Sequence, residues 1–96
     1  MYGTVAKLKI KPGSIDELNR VSDGRERGPG FVGVYAFQTD ADPDEVYMVA
    51  IFDSKESYFA NAGSPEQAAA YEKMAQLFAA EPEWNDGEII YSDLAE

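Results

Sequence analysis

The sequence predicts an α+β fold in which one four-stranded antiparallel sheet carries its helices on a single face. Two observations lead to this prediction. Alternating or wholly apolar segments of strand length are interleaved with segments that begin on a serine capping signal and continue with helical spacing. These segments follow one another in the order strand, helix, strand, strand, helix, strand. A chain of 96 residues forms one core, so we expect a single domain over residues 1–96.

The first third of the chain predicts a strand, a helix and a second strand. Residues 2–10 alternate between small or apolar side chains and a second set that includes two lysines, as expected for a half-buried strand. The sequence SIDE at 14–17 matches a capping box, and the helix that it opens is expected to run from about Ile15 to about Glu26. The glycine-rich RGPG at 27–30 then leads into a second strand, FVGVYAFQT at 31–39.

The remaining segments predict a hairpin, two helices and a last strand. The polar sequence DADPDE at 40–45 is a turn before the third strand. A serine precedes a short helix at 55–62, and the capping signal SPEQ opens a longer helix of about 65–80. The sequence NDGEIIYSD at 85–93 supplies a turn and the last strand. This element order matches the ferredoxin-like β-α-β-β-α-β motif with its four-stranded antiparallel sheet.

The third strand, EVYMVAIF at residues 45–52, is apolar on both faces. A strand with water on one side alternates between apolar and polar residues, because successive side chains point to opposite faces of the sheet. The helices of this fold cover one face only, and each large apolar side chain left in water forgoes about 1.5–3 kcal/mol. We therefore expect a second copy of the sheet to cover the other face, which makes the protein a homodimer through the sheet face.

The residue types that are missing exclude several kinds of chemistry. The chain contains no cysteine and no histidine, which removes disulfides, thiol nucleophiles, imidazole bases and the usual zinc and haem ligands. The alternating aspartates of DADPDE resemble the start of a calcium-binding loop, but glutamate stands in place of its glycine and isoleucine in place of its last glutamate. We therefore expect no metal site.

Charge and hydropathy restrict the partners and the location. The net charge of −10 repels phosphate backbones, so we expect no nucleic-acid partner. The apolar runs are far shorter than the ~20 residues of a membrane-spanning helix, so we expect no membrane partner. The N-terminal sequence MYGTVAKLKIK lacks the features of a signal peptide, which favours a cytoplasmic location.

Two stretches carry a family resemblance: GPGFVGVYAF at 28–37 and VYMVAIFDSKESYFANAGSPEQAAAYEKM at 46–74. They contain a proline-glycine-phenylalanine entry to the second strand, a third strand that ends in an aromatic residue, a turn of the type S-K/R-E-x-Y/F and a serine-proline helix start. In these features the chain resembles the antibiotic biosynthesis monooxygenase (ABM) family. The resemblance implies a dimeric α/β barrel built from two sheets, with a pocket in each subunit between the sheet and the helices.

One branch of the resembling family degrades haem, and this chain departs from it. That branch uses an asparagine on the first strand, a tryptophan after the third strand and a histidine on the long helix. The corresponding places in this sequence fall at Ala6, Asn61 and Tyr71, and none of the three matches. Without a histidine the iron has no ligand, so we expect no cofactor.

A second branch of the family oxygenates phenols and quinols without a cofactor, and its pattern fits this chain better. The resemblance implies polar and aromatic side chains, including a tyrosine, around the bound ring. Tyr71 and Asn61 are the candidate catalytic residues, and Tyr58 is a further candidate for hydrogen bonding to the ligand. The candidate apolar wall of the pocket consists of Phe37, Phe52, Met74, Phe78 and Trp84.

Three functions remain open at this stage. The first is a cofactor-independent monooxygenase of a small aromatic, phenolic or quinol-like compound, and the second is a non-catalytic small-molecule binding or structural homodimer of the same fold. The third, an isomerase or cyclase of polyketide-like rings, needs a carboxylate beside Tyr71. No acid stands within an apolar pattern, so the sequence does not locate a general base. Arg25 and Arg27 are candidate partners for an anionic ligand or for nearby acids.

Overall fold

The computed structural model describes residues 1–23 and 28–95, and the elements follow the predicted order. They are β1 (Tyr2–Lys9), α1 (Ile15–Asp23), β2 (Phe31–Gln38), β3 (Glu45–Phe52), α2 (Lys55–Ala62), α3 (Pro65–Ala75) and β4 (Glu83–Glu88). The strands form one antiparallel sheet in the order β2-β3-β1-β4. The predicted α+β, ferredoxin-like fold is confirmed. In the described ranges, no helix has the length and hydropathy needed to cross a bilayer.

Two element boundaries differ from the sequence prediction. The helix α3 ends at Ala75 instead of residue 80, because the chain turns back onto the end of β1, where Ile10 and Phe78 form a β-bridge. The strand β4 runs over Glu83–Glu88 and so includes the start of the segment 85–93, where the sequence predicts a turn, and the sequence after Glu88 leaves the sheet. The predicted end of α1 near Glu26 lies outside the described residues.

The last strand ends close to the residue at which β1 begins. The backbone N–H of Ile89 donates to the carbonyl of Met1 at 2.9 Å, which is the level at which β1 begins. After this hydrogen bond the chain leaves the sheet. Ile90 is accordingly 95% exposed, and the predicted strand residues IIYSD lie outside the sheet.

The core lies between one face of the sheet and the helices. The predicted alternation of β1 is confirmed, since Thr4, Ala6 and Leu8 are buried whereas Val5 is exposed. The buried cluster consists of Ala6, Leu8, Ile10, Leu18, Val46, Met74 and Phe78. These residues come from β1, β3, α1, α3 and the segment after α3, so the core joins the helices to one side of the sheet.

The strand β3 presents apolar side chains to both sides of the sheet. One set faces the helices: Val46, Met48, Ala50 and Phe52. Cross-strand pairing puts the other set on the same face as residues of β1 and β2. We call this surface the bare sheet face, and its residues are Val5, Tyr35, Phe37, Tyr47, Val49 and Ile51. In the single chain Tyr35 is 72% exposed and Phe37 is 62% exposed.

Serine caps fix the two consecutive helices that follow β3. The Ser54 hydroxyl accepts from the backbone N–H of Ser57 at 3.1 Å, and the Ser64 hydroxyl accepts from that of Gln67 at 3.2 Å. Both caps were predicted from the sequence, and both satisfy backbone donors that have no partner within the helix. Only Gly63 and Ser64 separate α2 from α3, so the two helices stay close to each other over the sheet.

The turn before β2 packs tightly against α2 at Gly30. This glycine has φ +82°, a conformation that other residues adopt at a cost. A Cβ atom at this position would lie 2.5 Å from the Ser57 hydroxyl oxygen. The Gly30 carbonyl also accepts from the backbone N–H of Asp53 at 2.8 Å, which ties the turn to the end of β3.

Alanine at Gly30 should therefore be clearly destabilising. Positive φ costs a non-glycine residue roughly 1–2 kcal/mol, and the added methyl group would also displace Ser57. Gly13 is a matched control, because it has φ +80° with open space around it. We expect Gly30→Ala to lower the free energy of unfolding, measured by chemical denaturation, at least about 1 kcal/mol more than Gly13→Ala does. Equal losses would contradict the tight packing.

Candidate functional site

A cleft of about 290 Å³ opens between the sheet and the helices α2 and α3. Its floor comes from the sheet and includes Thr4, Met48, Ala50 and Phe52. Its walls come mainly from the two helices and from β4, and they include Tyr58, Asn61, Gln67, Tyr71, Met74 and Trp84. The volume is near the lower end of the range for small-molecule sites, so it suits a ligand of one or a few rings.

Six of the eight predicted site residues line this cleft: Tyr58, Asn61, Tyr71, Phe52, Met74 and Trp84. Phe78 lies behind them in the buried core, with its ring centroid 6.1 Å from that of Tyr71. Phe37 is on the bare sheet face. The helices and strands thus bring the predicted polar residues together at one site.

Phe37 lies outside the cleft because the register of β2 against β3 turns it to the bare sheet face. The register shifts between Phe31 and Gly33, so Phe31 pairs with Phe52 and faces the helices. After the bulge, Phe37 pairs with Tyr47 and points to the opposite side. The strict alternation of Phe31, Tyr35 and Phe37 in the sequence predicts that all three share a face. The extra residue of the bulge reverses that relationship for Phe31 alone.

Tyr58 links the cleft to a carboxylate outside it. Its hydroxyl donates to Asp86 Oδ1 at 2.8 Å, and Asp86 is exposed on β4. Burial of the ring, together with the Asp86 carboxylate, raises the pKa of Tyr58 to about 12, while the Thr4 hydroxyl acts in the opposite sense. The Thr4 oxygen is buried and lacks a hydrogen bond of ordinary geometry. Tyr58 is therefore protonated near neutral pH.

The contact between Asp86 and Tyr58 was not predicted from the sequence. Asp86 lies 28 positions from Tyr58, in a segment whose sequence predicts a turn. The register of β4 against β1 sets Asp86 opposite Thr4 and thereby beneath the Tyr58 hydroxyl. The contact itself becomes visible only from the strand pairing. A predicted strand that began at Glu83 would, however, have put Asp86 on the same face of the sheet as Trp84.

Tyr71 and Trp84 form one aromatic wall of the cleft. Their ring centroids are 6.1 Å apart, and Tyr71 is half-buried. Gln67, Tyr71 and Met74 all reach the cleft, as expected for positions spaced four and three residues apart on one helix face. The face of α3 that carries Tyr71 and Met74 is thus the face that lines the cleft.

Asn61 lies near the end of α2, where its backbone helps to connect α2 to α3 and its side chain borders the cleft. Its backbone carbonyl accepts from the N–H and the hydroxyl of Ser64, at 3.0 Å and 2.8 Å. Its side chain fills the space next to Gly28, where a Cβ atom would lie 2.7 Å from the Asn61 amide oxygen. The turn before β2 therefore packs on the same side chain that borders the cleft.

The described lining of the cleft is mostly apolar, with several polar groups and no charged one. It offers hydroxyl groups and amides together with aromatic, thioether and methyl groups, and no carboxylate, ammonium or guanidinium group belongs to it. No group of three or more acidic, histidine or cysteine side chains within the described ranges is arranged to hold a metal ion. Such a lining suits a neutral aromatic compound with polar substituents.

A second cleft, of about 390 Å³, lies between α1 and the β2–β3 side of the sheet. Of the predicted site residues it contains Met74, which it shares with the first cleft. It borders Asp23, next to the residues that are not described. Arg25 and Arg27, which the sequence analysis considered as partners for an anionic ligand, lie outside the described residues.

Residues 1–73 match the model of a protein family described as antibiotic biosynthesis monooxygenase. The chain belongs to the antibiotic biosynthesis monooxygenase family. This confirms the resemblance inferred from the sequence motifs. The matched range includes Tyr58, Asn61 and Tyr71, whereas Trp84 and Asp86 follow it. No curated protein matches the sequence as a close relative.

Solved structures share the fold of this ABM chain over nearly its whole length. A Chloroflexus aurantiacus protein described as an antibiotic biosynthesis monooxygenase has 26% identity and a TM-score of 0.72, covering 95% of this chain and 96% of its own. One from Nitrosomonas europaea has 15% identity and a TM-score of 0.78, with coverage of 95% and 100%. A variant of SnoaB, a cofactor-independent oxygenase from Streptomyces nogalater, has 13% identity and a TM-score of 0.78, with coverage of 95% and 94%.

Replacing Asp86 should change the ionisation of Tyr58. The Asp86 carboxylate disfavours a negative phenolate beside it, so Asp86→Asn should lower the Tyr58 pKa from about 12. Burial of the ring remains, so the pKa should stay above the ordinary tyrosine value of about 10. NMR titration of ¹³Cζ-labelled tyrosine measures this value, and Tyr58→Phe assigns the signal. An unchanged Tyr58 pKa in Asp86→Asn would contradict the contact.

Proposed function

We propose that this ABM-family protein is a cofactor-independent monooxygenase of a small aromatic, phenolic or quinol-like compound. The observation that carries the proposal is the cleft itself, in which hydroxyl, amide and aromatic side chains surround one space between the sheet and the helices. Membership of the ABM family supports it, as does the shared fold with SnoaB, which is described as a cofactor-independent oxygenase.

The proposed oxygenation requires the protein mainly to bind and position the ligand. An electron-rich phenol or its anion reduces dioxygen directly, so the protein has to orient the ring, assist the loss of its proton and exclude water. In the proposed site, Tyr71 and Asn61 hydrogen-bond to the oxygen substituents of the ligand. Phe52, Met74 and Trp84 form the apolar wall against its ring. Phe78 supports Tyr71 from behind and does not contact the ligand.

A second candidate function is non-catalytic binding of a small molecule by the same fold. The specific observation in its favour is the uncharged lining, since none of the described residues that border the cleft is a conventional acid or base. An isomerase or cyclase is less well supported, because it needs a carboxylate beside Tyr71. The carboxylate near the cleft contacts Tyr58 instead.

Both candidate functions include a homodimer formed through the bare sheet face. This face is apolar at its centre, and the Lys7 ammonium and the Glu83 carboxylate lie 4.0 Å apart beside it. Covering each large apolar side chain contributes about 1.5–3 kcal/mol, which gives a strong reason for two copies to associate. A two-fold axis would bring the same face of each chain together, with Tyr35 and Val49 near the contact.

The oxygenase proposal predicts that Tyr71 matters for dioxygen consumption. Against a panel of phenols and hydroquinones, Tyr71→Phe should lower the rate about tenfold to a hundredfold, because one transition-state hydrogen bond is lost. Tyr91→Phe is the matched control, since it removes the same group from an exposed position outside the sheet. Full activity of Tyr71→Phe would exclude Tyr71 from the reaction. Binding of these compounds without any uptake above background would favour the non-catalytic function.

The homodimer proposal predicts a specific effect of charge on the bare sheet face. Tyr35→Lys should weaken association at least about tenfold, whereas the single chain should keep its stability because Tyr35 is mostly exposed there. Ala69→Lys is the control, since it adds the same charge to the outer surface of α3. Sedimentation velocity should give the mass of two chains for the wild type and the control at micromolar concentration. A wild-type protein that sediments as a single chain would refute the proposal.

A further inference from the structure

We propose that Asp86 fixes the Tyr58 hydroxyl as a hydrogen-bond acceptor toward the cleft, so that the site selects a ligand that carries a neutral hydroxyl group. When the ligand is oxidised, the proton of that hydroxyl group is transferred through Tyr58 to Asp86. The first half of this proposal concerns binding alone. The second half rests on the proposed oxygenase function and supplies the base that the cleft lining lacks.

The hydrogen bond to Asp86 leaves the Tyr58 hydroxyl able to act toward a ligand only as an acceptor. A tyrosine hydroxyl has one proton and two lone pairs, and the proton of Tyr58 is donated to Asp86 Oδ1 at 2.8 Å. Tyr58 lines the cleft, whereas Asp86 does not belong to the lining and is exposed to solvent. The group that Tyr58 presents to a ligand is therefore an oxygen lone pair. A ligand hydroxyl can donate to it, but a phenolate cannot.

The charges around Tyr58 also favour a neutral ligand. The Asp86 carboxylate stands directly behind the hydroxyl, and Glu88 on the same strand faces the N-terminal ammonium at 3.8 Å. From β1, the uncharged Tyr2 ring packs edge-on against Tyr58 at 5.3 Å. From α2, the Lys55 ammonium lies 5.7 Å from the centre of the Tyr2 ring. The charge in direct contact with Tyr58 is therefore negative, which repels an anion in the cleft.

The proton transfer accompanies oxidation of the ligand. An ordinary phenol has a pKa of about 10 and an ordinary aspartate about 3.9, so transfer from the resting ligand is unfavourable by roughly a millionfold. Removal of one electron by dioxygen makes the ligand hydroxyl far more acidic. Its proton then moves to the Tyr58 oxygen while the Tyr58 proton moves to Asp86. The products are superoxide, a neutral phenoxyl radical, an unchanged Tyr58 and a protonated Asp86, which returns its proton to solvent.

Binding of 4-nitrophenol tests the selection step without any oxygenation. Its phenolate absorbs visible light, so the affinities of the neutral and ionised forms can be separated by titrating across its pKa. We expect the wild type to bind the neutral form at least about tenfold more tightly than the phenolate. Asp86→Asn should reduce this ratio severalfold, and Tyr58→Phe should weaken binding of the neutral form. Asp93→Asn, which removes the same charge from an exposed position, should match the wild type.

Two binding results would overturn the proposal. One is a wild-type protein that binds both forms equally or prefers the phenolate, and the other is an unchanged ratio in Asp86→Asn.

For the transfer step, Asp86→Asn should slow dioxygen uptake at least about tenfold with a phenol that the wild type oxidises, whereas Asp93→Asn should not. Equal rates would overturn the transfer step. Selective binding without uptake of dioxygen by any variant would support the selection step and refute the oxygenase function.

Discussion

Along β3, successive side chains point to opposite faces of the sheet, and both sets are apolar. The helices of this fold pack on one face only, so the two sets of apolar side chains of β3 need different partners to cover them. On one side Val46 and Phe52 join the helix-covered core, and Met48 and Ala50 form the floor of the cleft. On the other side Val49 is left at the centre of the bare sheet face. This single constraint generates both surfaces on which the proposed functions depend.

The proposed function separates ligand binding from acid–base chemistry in space. Its described lining is uncharged, which keeps a neutral aromatic ligand free of repulsion and allows close packing against Phe52 and Trp84. The Asp86 carboxylate is exposed and accepts a hydrogen bond from the hydroxyl of Tyr58, which lines the cleft. A carboxylate in water avoids the large desolvation cost of a buried one. In the proposed function, an acidic group thus serves the cleft while remaining outside its lining.

The sequence predicted those features that depend on local patterns. The serine caps at Ser54 and Ser64 and the spacing of Tyr71 and Met74 follow from helix geometry, so α2 and α3 and their inner faces were predictable. The features that were missed depend on contacts between distant segments. The bulge in β2 brought Phe31 into the cleft, the register of β2 against β3 left Phe37 outside it, and the pairing of β4 with β1 brought Asp86 to Tyr58.

The division of β3 into a ligand side and a partner side can be tested by methyl NMR with 2-naphthol as the ligand. Met48, Val49 and Ala50 are consecutive residues, and only the first and third face the cleft. The methyl signals of Met48 and Ala50 should shift in a saturable way on titration, and those of Val49 should remain unchanged. Shifts that are largest at Val49, or no saturable shift at any of the three, would contradict the account.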